Sequence, residues 1–296
     1  MNVVTISTCR RPFHTRLCIE SLCRAQRWSA VDGSTGWADL IAVCLPSNWY
    51  DFREVQAEAQ RVMERNRDIP LEFWFEQCES NPHAAAKWML DNAFRLGADA
   101  AVYIEEDEIV SPDAFLVCEW TRRYAAAALS IAPLGPPVSI LGCTLYHETI
   151  PTNYPADTPP NAALLHLANS FNTCGGTAFL REPFLKILAP RWNCKQVEPK
   201  GFDYSAHYLM YVHNLWMVRP DMAHGMHLGF RSSLFPGCER YGQNPEFWQM
   251  YFGRSIWAQT RDAVRSLDDF RMERYDQLRP VREPWMRDEL ARERIE

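Results

Sequence analysis

The chain is short of lysine, of paired cysteines and of long apolar runs. Only four of its 31 basic residues are lysine, and we interpret this bias toward arginine as the mark of a GC-rich genome rather than as a functional feature. The ten cysteines show neither a CxxC pair nor a zinc-ligand spacing, which argues against a disulfide framework and against a zinc domain. No apolar run approaches the length of a membrane span.

The first predicted strand begins within two residues of Met1, which leaves no room for an export signal ahead of it. We therefore expect no signal peptide. A reducing cytoplasm is then the expected compartment, and the cysteines are expected to be free thiols.

The remaining composition indicates a globular protein with a large core. The chain has 296 residues, of which 47% are hydrophobic and 12% aromatic. Its formal net charge of −6 argues against general coating of nucleic acid, although a local basic groove stays possible.

Alternating strands and helices predict an α/β fold with a mixed, mainly parallel sheet flanked by helices. Apolar runs predict strands over residues 3–6, 40–45, 71–75, 101–104 and 138–144, and the spacing predicts a helix over 52–64. Gly97 is placed as a helix C-cap, and Gly142 indicates a bulge within its strand. In such sheets, ligands bind at the carboxyl ends of the strands.

Four consecutive acidic residues, Glu105 to Glu108, follow the predicted strand over 101–104. Four carboxylates at one strand end are unfavourable unless a cation compensates them, and hard oxygen ligands suit Mg²⁺ or Mn²⁺. Strand alternation predicts that Glu105 and Asp107 share one face and that Glu106 and Glu108 share the other. The alternative is an acidic turn exposed to solvent.

Polar residues follow two other strands at the same predicted edge of the sheet. Thr8 and Arg11 lie in the turn between the first strand and a helix, which is a favourable place for an anion. Ser47 lies in the loop after the second strand. The alternative is an ordinary strand–helix connection with surface arginines.

The second half of the chain contains further candidates. Residues 146–169 predict a long loop, either functional or mobile, because they are rich in Pro, Asn, Thr and Ala. Gly175 and Gly176 allow the backbone to approach a ligand closely, although they also suit a plain turn. Asp203 precedes an aromatic-rich helix, where it is either that helix's N-cap or a functional acid. His227 lies in a glycine-containing segment with a second histidine, which favours a ligand role.

The acidic run and the residues after it resemble a known family. Glu105-Glu106-Asp107, followed by Val110-Ser111-Pro112-Asp113 and Phe115, is similar to the Glu-Asp-Asp segment of the Golgi N-acetylglucosaminyltransferase I family. More widely, element order over residues 3–235 resembles the GT-A fold of nucleotide-sugar glycosyltransferases. The family's middle Asp is Glu106 here.

The resemblance implies roles for several residues. Asp107 matches the acid that holds a divalent metal on the donor diphosphate, and His227 resembles a histidine that lies near the metal or the pyrophosphate in related GT-A enzymes. Asp203 matches the family's catalytic base. The residues with an implied part in donor binding are Thr8, Arg11, Ser47, Lys87, Glu105, Glu106 and the glycine pair Gly175-Gly176, which fits the family's acceptor-side loop.

The residues and the resemblance together predict a metal-dependent glycosyltransferase of bacterial or viral origin, and the resemblance implies that it is inverting. We expect Mn²⁺ or Mg²⁺ as cofactor, a UDP-sugar as donor, and a GT-A-like domain over residues 1–244 with a C-terminal helical extension over 245–296. The acceptor is left open between a glycan, a small molecule, a protein and a hydroxymethylated base of viral DNA. The alternatives are a nucleotidyltransferase, although the first loop lacks the glycines expected of one, and a non-catalytic nucleotide-sugar-binding module.

Overall fold

A computed structural model of the chain describes residues 1–8, 11–30, 36–46, 52–76, 82–131, 139–145, 163–168, 176–192, 206, 209–210, 212–220, 223–227 and 264–273. The strands are β1 (Asn2–Ser7), β2 (Leu40–Pro46), β3 (Leu71–Glu76), β4 (Ala100–Glu105), β5 (Glu108–Val110), β6 (Ser139–Thr144), β7 (Leu164–Ala168), β8 (Thr177–Leu180), β9 (Leu215–Pro220), β10 (Gly225–His227) and β11 (Arg271–Glu273). The helices are α1 (Pro12–Ser29), α2 (Phe52–Arg65), α3 (Pro82–Arg95), α4 (Ala114–Ile131), α5 (Arg181–Pro183) and α6 (Ala189–Arg191), with a π-helical segment (Phe184–Leu188) and a 3₁₀ turn (Leu267–Asp269).

Within the described residues, one large sheet has the strand order β11-β7-β9-β6-β8-β4-β1-β2-β3, and a small ribbon pairs β10 with β5. Strands β4, β1, β2 and β3 run parallel to one another, and β8 lies antiparallel between β4 and β6. Most neighbouring pairs in the large sheet are parallel. The arrangement confirms the predicted α/β fold class with a mixed, mainly parallel sheet.

Helices cover both faces of the sheet. On one face, α1, α2 and α4 bury apolar side chains such as Leu22, Val62 and Phe115 against the strands. On the other face, α3 and the helical segment after β8 contribute Phe94 and Phe184. This packing holds the carboxyl ends of β1 and β4 in fixed, adjacent positions.

Two predicted glycine roles agree with the structure. Gly97 has φ +97° and its N–H donates to the carbonyl of Phe94 at 3.1 Å, as a helix C-cap requires. At Gly142 the β6–β9 register shifts, which confirms the bulge. A Cβ on Gly142 would lie 1.8 Å from the carbonyl oxygen of Ala178, so only glycine fits there.

The structure corrects two predictions for the second half of the chain. The predicted loop over 146–169 contains strand β7, which pairs with β9 and β11. In the predicted helical extension, the described residues 264–273 form a 3₁₀ turn and strand β11, which extends the main sheet. Their backbone follows the edge of β7 because strand pairing satisfies its polar groups. The domain boundary at residue 244 stays a prediction.

Five cysteines lie in the described part of the chain, and all five are buried free thiols: Cys18, Cys23, Cys44, Cys118 and Cys143. Burial raises the pKa of the Cys118 thiol well above its ordinary value, and a hydrogen bond from Cys143 adds to this rise. None of the helices among the described residues has both the length and the apolar content of a membrane span.

Candidate active site

The candidate site forms where β1 and β4 end beside each other. Ser7, the last residue of β1, pairs in register with Glu105, the last residue of β4. Because the two strands are parallel, the segment after β1 and the acidic run after β4 leave the sheet at the same edge. This adjacency joins two parts of the sequence that lie almost a hundred residues apart.

The acidic run is a turn rather than a continuation of the strand. The N–H of Glu106 donates to the carbonyl of Ser7 at 2.9 Å, and residues 106–107 turn the chain into β5. The side chain of Glu108 folds back and accepts from the N–H of Glu105 at 2.9 Å. The predicted alternation of faces is therefore wrong, because the strand geometry ends at Glu105.

Arg11 bridges the two carboxylates that the turn brings together. Its Nη1 donates to Oδ2 of Asp107, and its Nε lies 3.5 Å from Oε1 of Glu106. Both carboxylate side chains are almost fully buried, with 3% and 5% exposure for Asp107 and Glu106. A guanidinium between them compensates charge that burial would otherwise make costly.

The compensation at Glu106 is only partial. Burial, and then the neighbouring charge of Asp107, raise the pKa of Glu106 to about 8, and Arg11 opposes this rise. Its Oε1 is buried, and it has no hydrogen-bond partner within the described part of the chain. Burial and Asp107 therefore favour the protonated form of Glu106, whereas further positive charge beside it would favour the carboxylate.

The β5/β10 ribbon brings His227 to the acidic turn. The two strands are antiparallel, and His227 pairs in register with Glu108, the residue after Asp107. The backbone of His227 therefore lies beside the turn, although its side chain is outside the described part. This location agrees with the predicted neighbourhood of His227 and Asp107, while the ligand role stays a prediction.

Two further predicted residues of the first half, Thr8 and Lys87, have structural partners. Thr8 is buried, and its hydroxyl donates to the carbonyl of Cys44 at the end of β2. Lys87 forms an ion pair with Asp91 one turn along α3. These contacts account for both side chains as parts of the scaffold, and their roles in donor binding stay predictions.

Gly176 has a conformation that favours glycine. Its φ is +95°, and its carbonyl accepts from the N–H of Leu145 at 2.9 Å, so it holds the start of β8 against the end of β6. Ser47, Gly175 and Asp203 lie outside the described residues. Their predicted roles are carried forward as predictions.

Sequence reasoning missed a buried cluster of Ser111, Asp113 and His224. The Ser111 hydroxyl donates to Oδ1 of Asp113 at 2.6 Å, and Nδ1 of His224 lies 3.0 Å from the same oxygen. Helix α4 begins at Ala114, directly after these residues. Burial acts to raise the pKa of Asp113, but His224, Ser111 and the Val264 amide outweigh it and lower that pKa.

The cluster is not a hydrolytic triad. Both Ser111 and Asp113 contact the same ring nitrogen of His224, and all three side chains are buried. A nucleophile and an orienting acid need opposite nitrogens of the imidazole. The only sequence signal was the pair of histidines at 224 and 227, which did not identify the partner of His224.

The carboxylates of the acidic turn are the candidates for holding a metal ion. No group of three or more His, Cys, Asp or Glu side chains in the described ranges is arranged to hold a metal ion. Asp107 and Glu106 nevertheless converge on one cation, the Arg11 guanidinium, and the buried Glu106 oxygen has spare accepting capacity. One or two carboxylates, completed by substrate phosphates and water, fit the usual Mg²⁺ site on a phosphate substrate.

Several solved structures are similar to this chain. TarS residues 1–349 from S. aureus in complex with UDP-GlcNAc match at 10% identity and a TM-score of 0.43, with 86% of this chain and 74% of that chain covered. The mannosyltransferase PcManGT from Pyrobaculum calidifontis, in complex with GDP-Man and Mn²⁺, matches at 14% identity and a TM-score of 0.41, covering 73% and 56%. The glycosyltransferase GlyE from Streptococcus pneumoniae matches at 12% identity and a TM-score of 0.36, covering 72% and 43%.

Two of these three proteins are named as sugar transferases, and two are bound to a nucleotide sugar. The chain spans little more than half of the mannosyltransferase and less than half of GlyE. No protein-family model and no curated protein sequence matches the chain. The specific resemblance to the N-acetylglucosaminyltransferase I family therefore stays a prediction.

Proposed function

We propose that the chain is a metal-dependent GT-A-type glycosyltransferase that moves a sugar from a nucleoside-diphosphate sugar to an acceptor hydroxyl. The observation that carries the proposal is the contact of Arg11 with Asp107 and Glu106 at the carboxyl ends of β1 and β4. A guanidinium next to two buried carboxylates supplies one group for a diphosphate and two for a divalent cation. A UDP-sugar is the donor to test first.

The candidate residues would bind two groups of opposite charge, the donor diphosphate and a divalent cation. Arg11 would bind a phosphate oxygen of the donor and orient the diphosphate beside the turn. Asp107, with Glu106 beside it, would hold Mn²⁺ or Mg²⁺. When bound, such an ion stabilises negative charge that develops on the leaving diphosphate. The near-complete burial of both carboxylates strengthens these interactions, because little water competes for them.

Asp203 completes the proposal as the general base. A base must take the proton of the acceptor hydroxyl as the sugar is transferred, and a direct displacement of this kind inverts the anomeric centre. The role rests on the resemblance of Phe202-Asp203-Tyr204 to the family's Trp-Asp-Asp-Trp segment. The donor sugar and the acceptor are for experiment to identify.

The test is a screen of nucleotide sugars for Mn²⁺-dependent hydrolysis and thermal shift. We expect one donor to raise the melting temperature in the presence of Mn²⁺, and we expect Asp107→Asn to remove both the shift and the hydrolysis. Asp68→Asn is the matched control, because Asp68 is an exposed acid that pairs with Arg27. Metal-independent activity in Asp107→Asn would overturn the metal role, whereas binding without turnover would identify a non-catalytic module.

A further inference from the structure

The β5/β10 ribbon needs outside support. Each strand has three residues, and a two-stranded ribbon is marginally stable on its own. One end of the ribbon carries His227 beside Glu108 and the acidic turn. At the other end, the N–H of Ser111 donates to the carbonyl of His224 at 2.8 Å. The geometry of the candidate site therefore depends on what holds this second end.

Asp113 holds the end of the ribbon at His224 through contacts of its side chain. Its Oδ1 lies 3.0 Å from Nδ1 of His224 and accepts from the Ser111 hydroxyl at 2.6 Å. All three side chains are buried, so water does not replace these contacts. The N–H groups of His224 and Gly225 both donate to the carbonyl of Leu145, which joins the ribbon to the end of β6.

The second oxygen of Asp113 holds the C-terminal segment, residues 264–273. Oδ2 accepts from the N–H of Val264 at 2.8 Å, 151 residues further along the chain. The carbonyl of Val264 accepts from Nε1 of Trp28 at 2.9 Å, and the Arg265 guanidinium lies 3.8 Å from a Trp28 ring centroid. From this anchored point the segment continues into β11, which pairs with β7.

We propose that Asp113 is a positioning residue that holds the ribbon and the C-terminal segment with its two carboxylate oxygens. The C-terminal segment is then part of the support of the candidate site, because the same carboxylate that anchors Val264 also anchors His224. The inference rests on the proposed function for its consequence in metal binding. Its structural part stands on the contacts alone.

The test compares Asp113→Ala with Asp113→Asn by hydrogen exchange of the full-length chain. Asp113→Ala removes the contacts of both carboxylate oxygens. We therefore expect hydrogen exchange of the amides in residues 223–227 and in the C-terminal segment to rise by about tenfold. Asp113→Asn keeps an acceptor for Val264 but loses the charge beside His224. We expect it to loosen the ribbon while the C-terminal segment keeps its protection, and this milder variant serves if Asp113→Ala fails to fold.

A second measurement tests the Mn²⁺ affinity of the candidate site. In the presence of UDP, the Mn²⁺ concentration that gives half of the thermal shift should rise by about 10–100-fold in Asp113→Ala, the usual effect of removing a support behind metal ligands. Gln26→Met is the matched control, because Gln26 is also buried. It makes two hydrogen bonds with Ala38, at the opposite end of the strands from the candidate site. It should lower stability without changing the Mn²⁺ dependence.

The possible results separate the two ideas. Unchanged exchange in residues 223–227, or a rise spread equally over the chain as in Gln26→Met, overturns the positioning role. A loosened ribbon with unchanged Mn²⁺ dependence overturns the link between Asp113 and the metal site. A wild-type chain that shows no effect of Mn²⁺ and nucleotide overturns the proposed function, and the exchange data still decide whether Asp113 holds the ribbon.

Discussion

Arg11 donates a hydrogen bond to Asp107 across 96 residues of sequence, and the parallel pairing of β1 with β4 is what brings them together. The guanidinium reaches Glu106 from the same position. This arrangement depends on the planar, forked shape of arginine, since the ammonium of lysine is a single point of charge.

We predict that Arg11→Lys weakens nucleotide binding while the fold is retained. Lysine keeps the charge but loses the forked contact, and a hydrogen bond to a charged group contributes about 1.5–3 kcal/mol. The Kd for UDP with Mn²⁺ should therefore rise about tenfold or more, measured by calorimetry. Arg27→Lys is the control, because Arg27 makes an exposed ion pair with Asp68. Equal affinities in the two variants would remove Arg11 from the donor site.

We predict that Glu106 makes the metal-free protein less stable as pH rises. Its pKa is raised to about 8 by burial and by Asp107, so the folded state holds a proton that the unfolded state releases from about pH 4.5 upward. Stability therefore falls by up to about 1.4 kcal/mol per pH unit as pH rises toward 8, and the loss is complete above that pKa.

Glu106→Gln tests this sign, because glutamine stays neutral at every pH. Urea unfolding in the presence of EDTA, at about pH 6 and about pH 9, should show a smaller loss of stability for Glu106→Gln than for the wild type. Glu64→Gln, at an exposed position on α2, should behave like the wild type. Parallel losses in the wild type and Glu106→Gln would mean that Glu106 is ionised throughout.

We predict that Asp203→Asn keeps its melting temperature and donor affinity but loses transfer by about two orders of magnitude or more. Asparagine caps a helix as well as aspartate does, whereas it cannot accept the acceptor's proton. Aspartate has an unperturbed pKa of about 3.9, so it is ready to act as a base at neutral pH. Turnover near the wild-type rate would identify Asp203 as a cap.

We predict that Gly142→Ala destabilises the fold more than Gly97→Ala does. The added methyl at Gly142 would overlap the backbone of Ala178, which we expect to cost about 3 kcal/mol or more. At Gly97 nothing lies within 4 Å of the added Cβ. Only the left-handed backbone is strained there, at a cost of about 1–2 kcal/mol. Chemical denaturation of both variants measures the difference, and a reversed order would place the bulge elsewhere.

Local sequence patterns were sufficient for the elements with a short apolar run or a clear helical spacing. β1, β2, β3 and α2 start and end within one residue of their predicted bounds. The same reasoning missed β5, β10 and β11, because three residues are too few to show a period of two. It also missed β7. Among the described residues, this strand pairs with β9 and β11, which come much later in the chain.

The site was predictable in composition but not in geometry. The acidic run and Arg11 stand out because carboxylates and arginine follow buried strands. That Glu106 and Asp107 both face Arg11 depends on a turn, which a hydrogen bond to Ser7 fixes. The pairing of Asp113 with His224 spans 111 residues, and no local pattern in the sequence specifies a contact of that separation.

The strand order also sets the sequence of events during synthesis. Strands β1 to β4, with Arg11 and Asp107, all lie in the first 107 residues and can pair before the rest leaves the ribosome. The edge strand β11 pairs with β7 only after residues 271–273 emerge, long after the acidic turn has left the ribosome. A nascent chain therefore forms its acidic turn early, whereas the contact between Asp113 and Val264 forms only after residue 264 has emerged.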